Sequence, residues 1–216
     1  AADDIGCSAG FAGIGQTWSS LKVMYAQGYG AGAAPLLIMG GGYDTCEDAD
    51  ALTPGGRNHR CVSGSGGTIK GNKIYVIDAL TGALVRSFDT ARSVIADTTL
   101  VVDNHKKALY GYTADMGGNV YRLSFGSGGT ATWNITQIAS LGCNAPSICT
   151  DAVANRKFGF APSVVTADSI TYYIMLGSGE REKPVSYYAA AHSVTNYFFA
   201  IKDKPADSSW LTSQFA

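Results

Sequence analysis

A strand-like segment that recurs three times is the feature that most constrains the fold of this 216-residue chain. The copies lie at 71–78 (GNKIYVID), 118–125 (GNVYRLSF) and 196–203 (NYFFAIKD). Each copy begins at a Gly or Asn and alternates large apolar residues with smaller or polar ones. Alternation with a period of two is typical of a β-strand that buries one face. The chain is therefore predicted to consist of β-strand repeats.

Two apolar runs precede each copy and predict two further strands in every repeat. The nearer run lies at 36–42, 108–112 and 172–177, and the farther run lies at 18–23, 99–102 and 161–165. A fourth strand is predicted at 83–88, near 132–138 and, in the third repeat, near 209–215. Short strands that recur in groups of four predict an all-β fold, a β-propeller with four-stranded blades.

The repeats divide the chain into about three blade units of one partial propeller domain. The units lie at about 16–90, 91–141 and 158–216, with loop insertions in the first and third. A propeller ring usually closes with four to eight blades. Three units therefore predict that the chain is a fragment of a longer polypeptide and a larger propeller.

Composition excludes several classes of function. Charged residues make up 15% of the chain, against the usual quarter, and the formal net charge is −1. No run of Lys and Arg follows a groove, so the sequence predicts no nucleic-acid partner. No apolar stretch reaches the length of a membrane span, so no membrane span is predicted.

Four of the five cysteines form two close pairs within predicted loops. Cys46 and Cys61 bracket a Gly-rich insertion, and Cys143 and Cys149 bracket a five-residue loop. Such pairs are typical of disulfides on surface loops; zinc is the alternative, but no C-x-x-C spacing is present. Disulfides predict an oxidising compartment, which is the periplasm, the cell surface or the exterior. Cys7 has no predicted partner.

Several motifs carry a family resemblance. The turn 78–82 (DALTG) resembles the D-A-x-T-G turn of quinoprotein-type propeller repeats. Seven segments, in the same order along nearly the whole chain, resemble the C-terminal β-propeller of the PilY1/PilC family of type IV pilus proteins. They are 15–20 (GQTWSS), 38–44 (IMGGGYD), 96–103 (ADTTLVVD), 112–123 (YTADMGGNVYRL), 160–165 (FAPSVV), 177–184 (GSGEREKP) and 196–203 (NYFFAIKD), and the segment 75–82 (YVIDALTG) that ends in the D-A-x-T-G turn belongs to the same match.

The resemblance implies a non-enzymatic scaffold that is exported and lies at the periplasm, the cell surface or the pilus tip of a Gram-negative bacterium. It implies a role in pilus biogenesis and in surface attachment. The implied partners are minor pilins or other pilus subunits, and a host or abiotic surface.

One departure from the family concerns calcium. Many members carry an EF-hand-like loop in the second unit, with Asp or Asn at alternate positions around a Gly. Here the loop begins at Asp103 and continues as NHKKA, so that the Gly is lost and two lysines lie where a dication would bind. The sequence predicts no metal at this degenerate loop and no other cofactor.

Two alternatives to the pilus scaffold remain. One is a periplasmic propeller that organises protein assembly without a pilus. The other is a fragment of a quinoprotein dehydrogenase, which shares the strand-and-turn repeat. Such enzymes typically use adjacent cysteines and an acidic calcium site at the cofactor, and this chain has neither. The sequence therefore predicts no catalytic residues.

The candidate interface residues lie in the insertion of the third unit. They are Glu180 and Arg181, which begin an E-R-E-K run of alternating charge, and the adjacent pair Tyr187 and Tyr188. Tyrosine in an exposed loop is a common contributor to protein contacts. Asp44 and Asp115, each beside glycines after a second strand, are interpreted as turn residues rather than ligands.

Overall fold

The computed structural model describes residues 9–45, 47, 69–142, 156–181 and 194–214, and these residues form an all-β fold. Strands follow one another as antiparallel neighbours in three separate sheets. Sheet 1 comprises β1 (Lys22–Met24), β2 (Leu36–Gly40), β3 (Lys73–Asp78) and β4 (Leu84–Asp89). Sheet 2 comprises β5 (Thr99–Val102), β6 (Ala108–Ala114), β7 (Asn119–Ser124) and β8 (Asn134–Ser140). Sheet 3 comprises β9 (Ser163–Thr166), β10 (Tyr172–Gly177) and β11 (Phe198–Asp203).

The predicted all-β class is confirmed, and each predicted strand of the first two repeats overlaps a strand of sheet 1 or sheet 2. The strand predicted near 209–215 is wrong, because residues Ser208–Gln214 form a helix, α1. Pro205 cannot donate to a sheet, and the Asp207 carboxylate accepts the backbone N–H groups of Ser209 and Trp210. This side-chain cap favours the start of a helix. Residues 208–214 also lack the period-two alternation of a strand.

The three sheets pack face to face through two apolar layers. Between sheets 1 and 2 lie Leu36, Ile38, Ile74, Val76, Leu123, Phe125 and Trp133. Between sheets 2 and 3 lie Tyr112, Val120, Ile138, Tyr172, Ile174 and Leu176. Sheet 2 therefore buries both faces, whereas sheets 1 and 3 each have an outer face that no second sheet of the described residues covers. Within the described ranges, no helix is long and apolar enough to cross a membrane.

Candidate functional site

Most of the residues predicted from sequence to act at a site lie outside the described residues. These are the four paired cysteines, Cys46, Cys61, Cys143 and Cys149, together with Tyr187 and Tyr188. Both predicted disulfides and the tyrosine contact therefore stay predictions. Glu180, Arg181 and Asp103 are described, and each has a defined set of contacts.

Glu180 and Arg181 are adjacent in sequence but differ in their surroundings. The Glu180 carboxylate lies 3.2 Å from Lys157 Nζ, and both side chains are almost fully buried. Arg181 is exposed, lies over the Phe160 ring at 4.8 Å, and donates to the Gly159 carbonyl at 2.7 Å. The structure thus places Glu180 in an internal ion pair and leaves Arg181 at the surface.

A second arginine–aromatic pair lies in segments that are hydrogen-bonded to those of the first, through Gly179 N–H to the Lys157 carbonyl and Ser178 N–H to the Tyr197 carbonyl. Arg156 lies 4.8 Å from the Tyr197 ring and donates to the Thr195 carbonyl at 2.7 Å. Tyr197 is 52% exposed and Phe160 is 65% exposed. We define Phe160, Arg181, Tyr197 and Arg156 as the aromatic–arginine surface. Aromatic residues and Arg are enriched at protein interfaces, so this surface has the composition of a recognition site.

A buried group of charges links the three sheets below this surface. Arg92, in the connection between sheets 1 and 2, donates through Nε at 3.1 Å to Glu47, and a second guanidinium nitrogen also binds that carboxylate. Lys157 Nζ reaches the Glu47 carbonyl at 3.4 Å and thereby connects this pair with Glu180. Sequence reasoning missed the group because its bonded partners are as many as 110 positions apart and share no motif.

Asp115 occupies the turn between β6 and β7, as its interpretation as a turn residue predicts. Its carboxylate accepts the backbone N–H groups of Gly117 and Asn119 at 2.9 and 3.0 Å, and that of Arg92 at 3.0 Å. The Tyr121 hydroxyl donates to the same carboxylate at 2.9 Å. Burial raises the pKa of Asp115, and the hydrogen bonds from Asn119 oppose the rise. The carboxylate organises the turn and has no face open to a ligand.

Asp103 lies in the turn between β5 and β6. One oxygen of its carboxylate accepts the backbone N–H groups of His105 and Lys107, each at 2.8 Å. These hydrogen bonds, with that of Lys107 the largest contribution, lower the pKa of Asp103. Lys106 adopts a positive φ of 61°, and the Lys107 ammonium lies 5.0 Å from the Tyr25 ring. The hydrogen bonds from His105 and Lys107 to Asp103 therefore hold the turn closed, and both come from backbone N–H groups of the turn itself.

We expect millimolar calcium to leave the melting temperature of the protein unchanged, because amides already use the Asp103 carboxylate. Differential scanning fluorimetry with and without calcium measures this directly. A calorimetric binding signal that disappears in Asp103→Ala would contradict the prediction.

Asp78 explains the D-A-x-T-G turn between β3 and β4. Its Oδ1 accepts the backbone N–H groups of Leu80 and Thr81 at 2.9 and 2.7 Å, and the Thr81 hydroxyl at 2.8 Å. Its Oδ2 accepts the hydroxyl of Tyr29. The hydrogen bond from Tyr29, followed by those from Thr81, lowers the pKa of Asp78 from its ordinary 3.8 to about 2.

The lowered pKa of Asp78 predicts a dependence of stability on pH. Because the folded pKa of about 2 lies below the unfolded value of 3.8, the ionised carboxylate stabilises the fold above about pH 4, and this contribution is lost as the pH falls towards 2. Asp78→Asn should melt at a lower temperature than the parent at pH 6, and the difference should shrink towards pH 2. Melting curves of both proteins across this range test it; a constant difference would contradict it.

Asp203 joins sheet 3 to sheet 2. Its carboxylate is 1% exposed and accepts two contacts from one guanidinium nitrogen of Arg122 on β7, at 2.7 and 2.9 Å. It also accepts the hydroxyl of Tyr112 on β6 at 2.8 Å. Burial, with the adjacent negative charge of Asp203, raises the pKa of Tyr112. Tyr112 therefore stays protonated and donates, and the ion pair fixes β11 against sheet 2.

The outer face of sheet 3 is apolar and exposed. Register places Tyr173 opposite Val165 on one side and Lys202 on the other, and Phe198 opposite Gly177. Phe198 is 71% exposed, Val165 48% and Tyr173 39%. Exposed apolar side chains that share one face of a sheet are typical of a face that another element or a partner covers.

The described residues present exposed aromatic side chains on a framework of hydrogen-bonded strands and turns. Among the described residues, no three His, Cys, Asp or Glu side chains come together as metal ligands would. The buried carboxylates of Asp115 and Asp203 are hydrogen-bonded to neighbouring turns and strands. What the geometry offers is the aromatic–arginine surface, next to the exposed face of sheet 3.

Comparison with known proteins gives no match: no family model, curated protein or solved structure is similar to this chain.

Proposed function

We propose that this chain is a non-enzymatic scaffold of a type IV pilus, exported and exposed at the cell surface or pilus tip, where it binds minor pilins. The observation that carries the proposal is the aromatic–arginine surface at one end of sheet 3. The ordered motifs that resemble the PilY1/PilC propeller supply the pilus context. In this proposal the protein lies outside the cytoplasm, where the predicted disulfides close the insertion of the first unit and the loop between the second and third units.

A propeller arrangement of the sheets is part of the proposal. In support, contacts link residues at or just before the first strands of the three sheets. The Asp97 carboxylate accepts the Ser20 backbone N–H at 2.6 Å and pairs with Lys22 at 3.1 Å. Thr99 at the start of β5 donates to the Pro162 carbonyl, and β5 contacts β9. First strands that converge are what radial packing of blades requires.

The outer face of sheet 3 fits the same arrangement. In a propeller each blade packs one face on the preceding blade and the other on the following blade. In support, sheet 2 has buried apolar side chains on both faces. Phe198, Val165 and Tyr173 would contact a further blade of a longer polypeptide, which leaves the loops at the end of sheet 3 for partners.

The test is binding of purified pilin-like subunits to the full chain. We expect the double variant Phe160→Ser, Tyr197→Ser to bind a minor pilin at least tenfold more weakly, because exposed aromatic residues dominate the energies of protein interfaces. Surface plasmon resonance against immobilised soluble pilin domains measures the change.

Leu80→Ser provides the matched control. Leu80 is 79% exposed in the β3–β4 turn of sheet 1, whereas the proposed surface lies at one end of sheet 3. Its replacement therefore removes an exposed apolar side chain that does not belong to the proposed surface. Equal binding by the double variant and the parent would reject the aromatic–arginine surface as the contact. Failure of native protein to co-purify with any pilin would reject the pilus role, and would favour the scaffold without a pilus.

A further inference from the structure

Sheet 3 ends one strand short of its neighbours within the described residues. Sheets 1 and 2 each have a fourth strand, β4 and β8, on the outer side of the third. In sheet 3 the third strand, β11, is the last, and α1 follows it. One edge of β11 therefore faces the position that a fourth strand would occupy.

Backbone geometry identifies the groups at this edge. The Lys202 carbonyl accepts the Trp210 indole N–H at 3.2 Å, so it points away from β10. In an antiparallel strand the N–H and C=O groups of one residue point to the same side, and alternate residues share that side. The backbone groups of Phe198 and Ala200 therefore also point outwards, and no described residue hydrogen-bonds to them.

A groove lies along this edge. It has a volume of about 410 Å³ and is lined by residues 138–141 at the end of β8, residues 199–203 of β11, and one side of α1. Its apolar lining continues the layer between sheets 2 and 3, because Ile138, Phe199, Ile201 and Leu211 belong to that layer. The groove is thus an extension of an existing sheet–sheet interface and lies beside unpaired strand donors and acceptors.

The positive charges at one end of the groove indicate which end of a bound strand would carry an acidic residue. The Lys202 and Lys204 ammonium groups lie 5.3 and 4.7 Å from the Trp210 ring, at the C-terminal end of β11. An antiparallel strand would place its N-terminal residues there, where an acidic side chain would meet both lysines. Its alternate residues would enter the apolar groove.

We propose that a β-strand from a partner protein adds to β11 in antiparallel orientation and completes sheet 3. The strand carries an acidic residue at its N-terminal end and apolar residues at alternate positions. Strand addition at an exposed edge gives affinity through main-chain hydrogen bonds and specificity through alternate side chains. This proposal does not depend on the pilus role, since the edge and groove would accept such a strand from any partner.

The experiment uses the 216-residue chain and two synthetic peptides. One copies residues 134–141, which contain the fourth strand of sheet 2, and the other carries Asn134→Asp to place an acid at its N-terminal end. Neither peptide contains Trp, so a change in the fluorescence of the protein that is lost in Trp210→Phe, in which Trp18 and Trp133 remain, reports binding at the groove. We expect saturable binding of both, severalfold tighter for the acidic peptide, with that advantage lost at high salt.

The diagnostic variants are at Ala200. Ala200→Pro removes an outward N–H without removing a hydrogen bond of sheet 3, and should weaken peptide binding at least tenfold. Ala200→Thr keeps the N–H and should bind as the parent does. Hydrogen exchange of the Ala200 amide should slow when peptide is bound, and melting curves confirm that both variants are folded.

Three results would overturn the proposal. They are no binding of either peptide, binding that Ala200→Pro does not weaken, and dimerisation through this edge without peptide, which light scattering would detect. The last result would identify a second copy as the occupant. Loss of pilin binding in the earlier test would leave the outcome of this one unchanged, so the two proposals fail separately.

Discussion

Asp203→Ala should lower the free energy of unfolding by about 3–5 kcal/mol, because it leaves the Arg122 guanidinium buried without its charge partner. The Arg122 side chain is only 13% exposed and donates to both oxygens of the Asp203 carboxylate at hydrogen-bond distance. The same change removes the acceptor of the Tyr112 hydroxyl, which lies in the layer between sheets 2 and 3. Urea unfolding followed by circular dichroism measures the loss.

Two controls separate this effect from the loss of any ion pair. The triple variant Tyr112→Phe, Arg122→Met, Asp203→Leu should recover most of the stability, because an apolar group of similar volume leaves no buried charge or hydroxyl without a partner. Asp89→Ala breaks a surface pair in which Asp89 is 80% exposed, and should cost less than about 1 kcal/mol. A cost for Asp203→Ala as small as that for Asp89→Ala would contradict the role of this ion pair.

The Asp203 ion pair also bears on recognition. Asp203 ends β11, whose edge borders the proposed groove, and β11 follows directly on the aromatic–arginine surface at Tyr197. Variants that loosen β11 from sheet 2 should therefore weaken binding at both surfaces, whereas Phe160→Ser acts on one surface only. The position of both surfaces depends on how sheet 3 is fixed to sheet 2.

The repeat predicted the strands, because period-two alternation records which side of each strand is buried. It predicted the D-A-x-T-G turn for the same kind of reason, since Asp78 and Thr81 are three positions apart and bind each other locally. The equivalent residue of the third repeat, Asp203, lacks that turn sequence and instead binds Arg122, 81 positions away. The Asp that ends the repeated segment therefore makes short-range hydrogen bonds in the first repeat and a long-range ion pair in the third. Only the short-range hydrogen bonds correspond to a motif in the sequence.

The site was less predictable than the fold. Arg181 was singled out from its loop, and the structure places it at the surface, but its aromatic partner Phe160 lies 21 positions earlier and in no shared motif. Glu180 was predicted from sequence as an interface residue, yet its side chain pairs with Lys157 and is almost fully buried. Helix α1 was missed because period-two reasoning extended a fourth strand past Pro205, where capping by Asp207 decides the structure.

Gly71→Ala should be the most damaging of the glycine substitutions, with an expected loss of at least about 3 kcal/mol. Gly71 begins the first copy of the repeated segment and has a φ of +80°, where an L-residue costs about 1–2 kcal/mol. An added Cβ would also lie 2.0 Å from the Gly42 carbonyl oxygen, so backbone must move. Gly71 additionally donates to the Gly13 carbonyl and accepts from Val94, so such movement disrupts three segments at once.

Gly82→Ala separates the two contributions, because Gly82 has a similar φ of +73° but nothing lies within 4 Å of its added Cβ. It should cost only the backbone strain of about 1–2 kcal/mol. Gly118 begins the second copy, has a φ of +82°, and its Cβ would lie 2.4 Å from the Gly142 backbone nitrogen, so Gly118→Ala should resemble Gly71→Ala. Equal losses for all three variants in urea unfolding would show that φ alone decides. A larger loss at Gly71 and Gly118 would show that the Gly-Asn start of the repeat exists because two backbones cross there.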